Sequence, residues 1–409
     1  MQKYLIIGNG TAAVSAVEGI RSLDRTGSIT IISREEHPAY CRPLISYYLE
    51  GKASPQRMLC RSESFYKDNS AEVVYSSAAS LDPKAKTVKL ENGAELEYTK
   101  LLIASGSSPF VPPMEGLETV PNKGFFMTLD DAYALERMTD ENSCVLIVGA
   151  GLIGLKCAEG LAERVKKITV CDLAQKVMPS ILDDEAADMV KSRLEAAGIE
   201  LLLGDTAAKF DGSKAVMRSG VQVDFDVLVV AVGVRPNISL FKDAGGECGR
   251  AITVDSHMRT SIPDIYAAGD CTEMIDISSD GIKVMALMPN ANIQGFCAGV
   301  NMTGGDKTFD NAVPMNSIGL FGCHVMSAGS YDGEKRTVRT ESGLKEFYIR
   351  DNLLKGFIIV DDTERAGIYT SLIRNKIPLG DIDFESLAKQ PELFALGLDY
   401  CLPKLKGAV

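Results

Sequence analysis

The fold of this chain is decided by the stretch "KYLIIGNGTAAVSAVEGI", residues 3–20. An apolar run over 4–7 is typical of a buried parallel strand, and a helix-period pattern begins after the glycines. The glycine segment has the form G-x-G-x-x-A. Gly8 allows the tight turn, Gly10 lets a pyrophosphate approach the backbone, and Ala13 allows the helix to pack closely on the strand. The helix N-terminus then faces the phosphates, so this unit predicts a dinucleotide site.

A second copy of this pattern occurs in "SCVLIVGAGLIGLKCAEGLAE", residues 143–163. The motif is here G-x-G-x-x-G, running from Gly149 to Gly154 between a predicted strand and a predicted helix. One such motif is often only a sharp turn in an α/β protein. Two complete copies make that interpretation poor, so two bound dinucleotides are predicted.

An acidic residue follows the next predicted strand in each copy. "SITIIS" ends near Glu35, and "KKITVCD" ends at Asp172. A carboxylate at this place binds ribose hydroxyls and repels a 2′-phosphate. Residues 173–175 supply no arginine for such a phosphate, although Lys176 comes next. The second site therefore favours NADH over NADPH, and how strictly it does so stays open.

The composition excludes several classes of function. The net charge of -12 argues against a generic nucleic-acid or anionic-membrane binder. No apolar run approaches the length of a bilayer span, and the N-terminus lacks the features of a signal peptide. We therefore expect a cytoplasmic protein with no membrane or nucleic-acid partner. The ten cysteines contain no C-x-x-C pair and the three histidines are far apart, so we predict no metal site.

Four further segments follow the glycine motifs. "LLIASGSSPFVPP" is similar to an A-T-G-x-x-P crossover, with Ser105 in place of threonine, and "VVAVGVRPN" is similar to its returning counterpart. "TSIPDIYAAGDC" matches a second FAD motif, and "ALMPNANIQGFCAGVNMTGG" resembles the flavin-side helix that follows it. Residues 1 to about 310 thus resemble the two-dinucleotide-binding-domain flavoproteins of the pyridine nucleotide-disulfide oxidoreductase superfamily.

The resemblance implies an architecture and two cofactors, FAD and NAD(H). The fold class is α/β, with two Rossmann-like dinucleotide-binding domains and a C-terminal α+β interface domain. The FAD-binding domain is split into 1–112 and 247–312, and the NAD(H)-binding domain, 113–246, is inserted between its parts. The interface domain is 313–409. A monomer or a homodimer is compatible with this arrangement.

The resemblance also implies the residues of both sites. The helix from about residue 289 is expected to direct its N-terminus, and the positive end of its dipole, at the flavin pyrimidine. The FAD site is expected to comprise Gly8, Gly10, Ala13, Glu35, Arg42, Pro43, Ala78, Ala104, Ser105, Gly106, Gly269, Asp270, Met288 and Pro289, with Asp270 on the ribityl chain. The NAD site is expected to comprise Gly149, Gly151, Leu152, Ile153, Gly154, Asp172 and Gly233.

Cys41 stands where some members of the superfamily place a reactive thiol. Disulfide-bearing members have a second cysteine five or six positions later, but this chain has Ser46 and Tyr47 there. Aligning "SYYLEG" with the single-cysteine branch of NADH oxidases and peroxidases places the cysteine at Pro43 instead. The stretch "AYCRPLISYYL" fits a third branch better, that of rubredoxin reductases, oxygenase ferredoxin reductases and nitrite reductase flavin modules. Cys41 then fills a variable position, and a small residue beside FAD is favoured over a redox centre.

Two departures from the third branch fall at the expected hydride site. The branch has lysine where this chain has Tyr47, and glutamate where this chain has Lys156. In relatives those two side chains form a pair near flavin N5. We infer a positional exchange, in which Lys156 supplies from the NADH domain the cation that Tyr47 does not. The alternative is a solvent-facing lysine on the first turn of a helix.

The sequence leaves three functions open for this protein. An NADH-dependent reductase of rubredoxin, ferredoxin or another small redox protein is favoured. An oxidase, peroxidase or disulfide reductase that uses Cys41 and a non-catalytic nucleotide-binding flavoprotein are the alternatives. Basic residues of the C-terminal region would either dock an acidic redox protein or cover solvated strand faces: Lys335, Arg336, Arg339, Lys345, Arg350 and Lys355.

Overall fold

The structure is a computed structural model that describes residues 1–396. Its first third holds the helices α1 Thr11–Leu23, α2 Ile45–Leu49 and α3 Phe65–Asp68 and the strands β1 Lys3–Ile7, β2 Ser28–Ser33, β3 Ala71–Tyr75, β4 Ala78–Asp82, β5 Thr87–Leu90, β6 Glu95–Glu97, β7 Lys100–Ile103 and β8 Ser107–Pro109. The middle third holds α4 Leu129–Met138, α5 Leu152–Leu161, α6 Asp184–Ala196 and α7 Ser239–Asp243, with strands β9 Lys123–Gly124, β10 Cys144–Val148, β11 Lys167–Asp172, β12 Glu200–Leu203, β13 Ala207–Asp211, β14 Lys214–Met217, β15 Gln222–Asp224, β16 Val227–Val230 and β17 Val234–Pro236.

The remaining described residues form two more groups of elements. The first holds β18 Ile252–Thr253, β19 Ile265–Ala267, β20 Thr272–Asp276, β21 Gly281–Val284 and α8 Met288–Met302. The second holds β22 Met315–Leu320, β23 Cys323–Gly329, β24 Glu334–Arg339, β25 Leu344–Arg350, β26 Leu353–Val360, α9 Gly367–Arg374 and α10 Phe384–Lys389.

The first sheet has the strand order β19-β7-β1-β2-β3, and all of its neighbours run parallel. Strand β19 joins it beside β7 although the two are far apart in sequence. The carboxyl ends of β1, β7 and β19 therefore lie together at one edge, where parallel α/β sheets bind ligands. This topology brings the segments that begin at Gly8, Ala104 and Ala268 into one place.

The second sheet repeats the arrangement with the order β12-β11-β10-β16-β9, again entirely parallel. Strands β10 and β16 are buried almost along their whole length, which explains their continuous apolar sequences. The two parallel sheets confirm the predicted α/β fold with two Rossmann-like units. The boundaries at residues 112, 246 and 312 remain predictions.

Close packing of α8 on α1 fixes the position of both helix N-termini. A Cβ on Gly295 would overlap the carbonyl oxygen of Ala12, and a Cβ on Gly299 would overlap that of Ala16. The helices can approach this closely only because small residues face each other along the contact. The glycine loop before α1 and the start of α8 are thereby held on the same side of the first sheet.

The C-terminal sheet is antiparallel, with the strand order β22-β23-β26-β25-β24, and α9 and α10 cover it. We call it the third layer, after the two parallel sheets. Its core contains three aromatic rings. The centre of the Tyr369 ring lies 4.9 Å from that of Phe347 and 5.6 Å from that of Phe357. An antiparallel sheet covered by helices has the α+β character that was expected of the C-terminal region, within the described residues.

The basic residues of this region are engaged within the molecule. Lys335 pairs with Asp183 and Glu346, and Arg339 pairs with Glu185, so both tie the C-terminal sheet to α6. The other four named above also have acidic partners: Arg336 with Glu385, Lys345 with Asp362, Arg350 with Asp332, and Lys355 with Asp280. Their charges are compensated, so this patch does not supply free cations for a docking partner.

Within residues 1–396, no helix has the length and apolar character of a membrane span. In the same part of the chain, no three His, Cys, Asp or Glu side chains gather in a way that could hold a metal ion.

Candidate functional site

The first glycine loop has the two properties that a pyrophosphate cradle needs. Gly8 has φ +106°, and a Cβ there would overlap the carbonyl oxygen of Ala104, the residue that follows β7. Only glycine allows this turn against the neighbouring strand. At Gly10, by contrast, a Cβ would meet no atom within 4 Å. The space beside Gly10 is open at the N-terminus of α1, as the binding of a phosphate group requires.

Glu35 lies at the end of β2 in a network with Tyr40 and Arg42. The Tyr40 hydroxyl donates to Glu35 Oε2 at 2.6 Å, and the Arg42 guanidinium pairs with Oε1. The backbone N–H of Leu129 donates to the Tyr40 hydroxyl at 2.8 Å, which links the network to α4. Burial raises the pKa of Tyr40, so the phenol stays protonated. Glu35 is thus a fixed carboxylate, and a ribose hydroxyl would share its oxygens with two protein donors.

Asp270 follows β19 at the same sheet edge. The Ser107 hydroxyl donates to its carboxylate at 3.2 Å, and burial raises the pKa of Asp270. A carboxyl in this position can accept hydrogen bonds from the hydroxyls of a ribityl chain. Gly269, which precedes it, has φ +86° and lies near Ala12 and Ala291, between α1 and α8.

The two crossover segments are joined to each other. Strands β8 and β17 pair antiparallel, with Ser107 opposite Pro236. The Ser105 hydroxyl donates to the carbonyl of Asn237 at 2.7 Å, and the Asn237 amide donates back to the Ser105 carbonyl at 2.9 Å. Ser105 therefore links the two crossover segments through its hydroxyl and its carbonyl. Gly106 and Gly233, with φ +66° and +112°, provide the turns at each end.

The second glycine loop repeats the first in detail. Gly149 has φ +119°, and a Cβ there would overlap the carbonyl oxygen of Ala231; a Cβ on Gly154 would overlap that of Gly149. At Gly151 a Cβ would again meet no atom within 4 Å. Asp172 accepts hydrogen bonds from the backbone N–H groups of Ala150 at 2.7 Å and Ala174 at 2.8 Å. The loop and the acidic residue are therefore held together, as in a site for an NADH ribose.

Lys156 and Tyr47, the two residues of the predicted positional exchange, are in contact with each other. The Lys156 ammonium lies 4.7 Å from the centre of the Tyr47 ring, a cation–π distance. It also pairs with Glu159 and donates to the carbonyl of Gly319 at 3.2 Å. Glu159 in turn accepts from the backbone N–H of Phe321 at 2.6 Å. The cation is thus held at the junction of α2, α5 and the C-terminal sheet, with its charge shared by a carboxylate.

Sequence reasoning missed Glu159 as the partner of Lys156. Its position three residues later on α5 was a usable signal, because residues spaced i and i+3 on a helix are neighbours. No sequence signal pointed to Gly319, which reaches the site only through the packing of the third layer.

Cys41 lies outside any α-helix, directly before the 3-10 turn Arg42–Leu44. Its sulfur is 3.5 Å from the Met288 sulfur at the start of α8. Burial raises the pKa of Cys41, and the neighbouring Cys60 adds to this. A thiol with a raised pKa is a poor nucleophile at neutral pH.

Cys60, the cysteine that adds to the raised pKa of Cys41, lies on the segment that pairs with residues 39–41. Tyr40 pairs with Leu59 across an antiparallel bridge, and the N–H of Cys60 donates to the carbonyl of Ala39. The two cysteines are therefore diagonal neighbours across this bridge, not directly opposed. All cysteines of residues 1–396 are free thiols.

The other predicted residues are distributed around these sites. Arg42, Met288 and Pro289 lie beside Cys41 and the N-terminus of α8. Ala13 is fully buried in α1, and Ala78 begins β4 against the core of the first sheet. Pro43 is in the 3-10 turn, and Leu152 and Ile153 begin α5.

Two cradles of this kind, joined by paired crossover strands, are typical of proteins that bind two dinucleotides, and the space beside Gly10 and Gly151 is open for a phosphate group at each. Residues 2–295 match the family described as pyridine nucleotide-disulphide oxidoreductase. The chain is 33% identical over 394 residues to NADH-dependent phenylglyoxylate dehydrogenase subunit epsilon of Aromatoleum evansii, which covers 92% of each chain. It is 32% identical over 274 residues to rubredoxin-NAD(+) reductase of Pseudomonas putida, covering 65% of this chain and 71% of that one.

Solved structures show the same fold. The crystal structure of the covalent putidaredoxin reductase–putidaredoxin complex aligns with a TM-score of 0.87 at 21% identity, over 95% of this chain and 99% of that one. The chain belongs to the pyridine nucleotide-disulphide oxidoreductase family. It is an oxidoreductase that binds FAD and NAD(H).

Proposed function

We propose that the protein transfers electrons between NADH and a small protein redox partner, such as a rubredoxin or a ferredoxin, through its FAD alone. The observation that carries this proposal is the state of Cys41. Burial raises the pKa of its thiol, and every cysteine of residues 1–396, Cys41 included, is a free thiol. The names of relatives such as rubredoxin-NAD(+) reductase support a protein acceptor.

The roles of the residues follow from the two cradles. Bound FAD supplies the chemistry that accepts a hydride and releases electrons one at a time. The open backbone at Gly10 would hold its pyrophosphate at the N-terminus of α1, and Asp270 would hold its ribityl hydroxyls. Gly151 and Asp172 would hold NADH, with the ribose on the carboxylate. Lys156, fixed by Glu159, would place a cation at the junction where the two cofactors meet.

Several finer statements form part of the same proposal. The FAD-binding domain would comprise 1–112 and 247–312, the NAD(H)-binding domain 113–246, and the interface domain the residues from 313 onward. The protein would act in the cytoplasm as a monomer or a homodimer.

An anaerobic titration with NADH tests whether flavin is the only redox centre. We expect the protein to take up two electrons per FAD, and the variant Cys41→Ser to take up the same number. We also expect that variant to retain NADH oxidation with a dye acceptor to within about twofold, because serine is close to cysteine in size.

Other outcomes of this titration point to the alternatives. Uptake of four electrons by the unmodified protein, reduced to two in Cys41→Ser, would replace the proposal with a thiol- or peroxide-reducing enzyme. No reduction by NADH in either protein would indicate a non-catalytic flavoprotein.

The positional exchange predicts a slower flavin reduction in Lys156→Met. We expect the rate in stopped-flow measurements with NADH to fall about tenfold, and the flavin potential to become more negative, because a cation that favours the anionic reduced flavin is lost. Lys166→Met, an exposed lysine beyond the same helix, is the matched control.

A second variant separates the lost cation from the carboxylate left behind. Lys156→Met/Glu159→Gln also removes the charge of Glu159. Recovery of the rate in this double variant would mean that the uncompensated carboxylate caused the defect. An unchanged rate and potential in Lys156→Met would reject the exchange.

A further inference from the structure

The hairpin of β20 and β21 carries an exposed apolar pair. Ile275 and Ile282 are 58% and 62% exposed, and they face each other directly across the ladder. Single exposed apolar residues are common on protein surfaces, but adjacent ones form a patch that favours contact with another molecule. Within the described chain, no other two of the large exposed apolar residues are ladder partners.

This pair lies on the path to the flavin site. Strand β21 ends at Val284, and the chain then runs through Ala286 to α8, which begins at Met288. Val284 and Ala286 line a cavity of about 160 Å³ that also has Asp270 in its wall. Ile282 and Val284 are two residues apart on β21 and therefore lie on the same face of the hairpin, so the exposed pair stands next to the wall of this cavity.

The far side of this cavity supplies positive charge. Arg235 and Arg250 line it, and both side chains are exposed. Neither forms an ion pair within residues 1–396, and the Arg235 guanidinium stacks on the Phe110 ring at 4.4 Å. The basic residues of the C-terminal sheet differ, because each of the six named above has a carboxylate partner.

We infer that the hairpin and these two arginines form the docking surface for a small acidic electron-transfer protein. The inference rests on the proposed function and gives it a place on the molecule. The partner would cover Ile275 and Ile282 with an apolar patch and direct carboxylates at Arg235 and Arg250. An apolar centre with a charged rim is the usual composition of such interfaces.

The two arginines, unpaired within residues 1–396, favour an acidic partner, because their cations complement carboxylates. Along β21, Lys283 stands at the exposed edge of the three-stranded sheet β18-β20-β21, and edge lysines oppose strand-to-strand pairing.

The test uses the FAD-loaded protein with rubredoxin as the protein acceptor and menadione as a neutral small acceptor. We expect Ile275→Ser/Ile282→Ser and, separately, Arg250→Glu to lower kcat/KM for rubredoxin about tenfold at low ionic strength. In Ile275→Ser/Ile282→Ser, whose changed side chains do not line the cavity beside Asp270, flavin reduction by NADH and turnover with menadione should stay within about twofold. The salt dependence of rubredoxin reduction should weaken in Arg250→Glu, because one attractive charge has become repulsive.

Matched controls have the same chemistry elsewhere. Val221→Ser changes an apolar residue that is 49% exposed, and Lys89→Glu reverses an exposed lysine in another sheet. Equal rubredoxin activity in the hairpin variants and the unmodified protein would overturn the inference, and so would equal losses in the controls. Dissociation of a dimer by the hairpin changes, measured by sedimentation, would assign the surface to a second copy.

Failure of the proposed function itself gives a different result. The unmodified protein would then reduce neither rubredoxin nor a ferredoxin although NADH reduces its flavin, and the docking inference would fall with it. Loss of rubredoxin activity in the variants alone distinguishes the two cases.

Discussion

Gly151→Val should give a yellow protein that NADH no longer reduces. Gly151 precedes α5 with extended backbone angles, φ -79° and ψ 179°, and a Cβ there meets no atom within 4 Å. Valine therefore fits the fold but occupies the space that the pyrophosphate of NADH needs. We expect kcat/KM for NADH with a dye acceptor to fall by about 100-fold or more, because the nucleotide cannot reach the backbone.

Two companion variants make this prediction specific. Gly10→Val places the same side chain in the first cradle and should yield a folded but colourless protein without FAD. Gly149→Val should destabilise the fold, because Gly149 has φ +119° and its Cβ would overlap the carbonyl oxygen of Ala231. Normal reduction of Gly151→Val by NADH would contradict the assignment of the second cradle to the nicotinamide cofactor.

Asp172→Asn/Leu173→Arg should shift the cofactor preference toward NADPH. Asp172 is an acid at the end of β11, and Leu173 beside it is 56% exposed, so an arginine there can reach a phosphate. The change removes the repulsion of a 2′-phosphate and adds a cation that binds it. We expect the ratio of kcat/KM for NADPH to that for NADH to rise by about 100-fold, measured with a common dye acceptor.

The asparagine is chosen because Asp172 also holds the glycine loop. Its oxygens accept from Ala150 and Ala174, and asparagine retains one acceptor oxygen. Leu173→Arg alone is the control, since the new arginine would pair with Asp172 and change the ratio little. An unchanged ratio in the double variant would mean that the ribose does not lie against residue 172.

The glycine motifs determined the two parallel sheets and the position of both cradles. Each motif is a local constraint: Gly8 and Gly149 need a left-handed or similarly strained backbone, and Gly10 and Gly151 must leave space at a helix N-terminus. Such requirements act within a few residues of the chain. They can therefore be predicted from residue type and spacing alone.

The environment of Cys41 and Lys156 was decided by tertiary packing. The sequence showed that both depart from the expected pattern, but not which groups they meet. Lys156 is held by Glu159 and by Gly319, which is 163 residues away, and Cys41 contacts Met288, which is 247 residues away. Contacts between distant segments depend on how the three layers pack.

Charge compensation shows the same division between local and distant causes. The cluster from Lys335 to Lys355 was visible in the sequence as a basic region. Its partners Asp183 and Glu185 lie at the start of α6, about 150 residues earlier in the chain, so only the packing of α6 on the C-terminal sheet shows that these charges are neutralised. By itself the sequence determined the fold class and the two cofactors, and it predicted the loops that are proposed to hold them. The tertiary structure alone decided which charges and thiols remain free to act, because ion pairs and sulfur contacts form between segments that the linear sequence keeps apart.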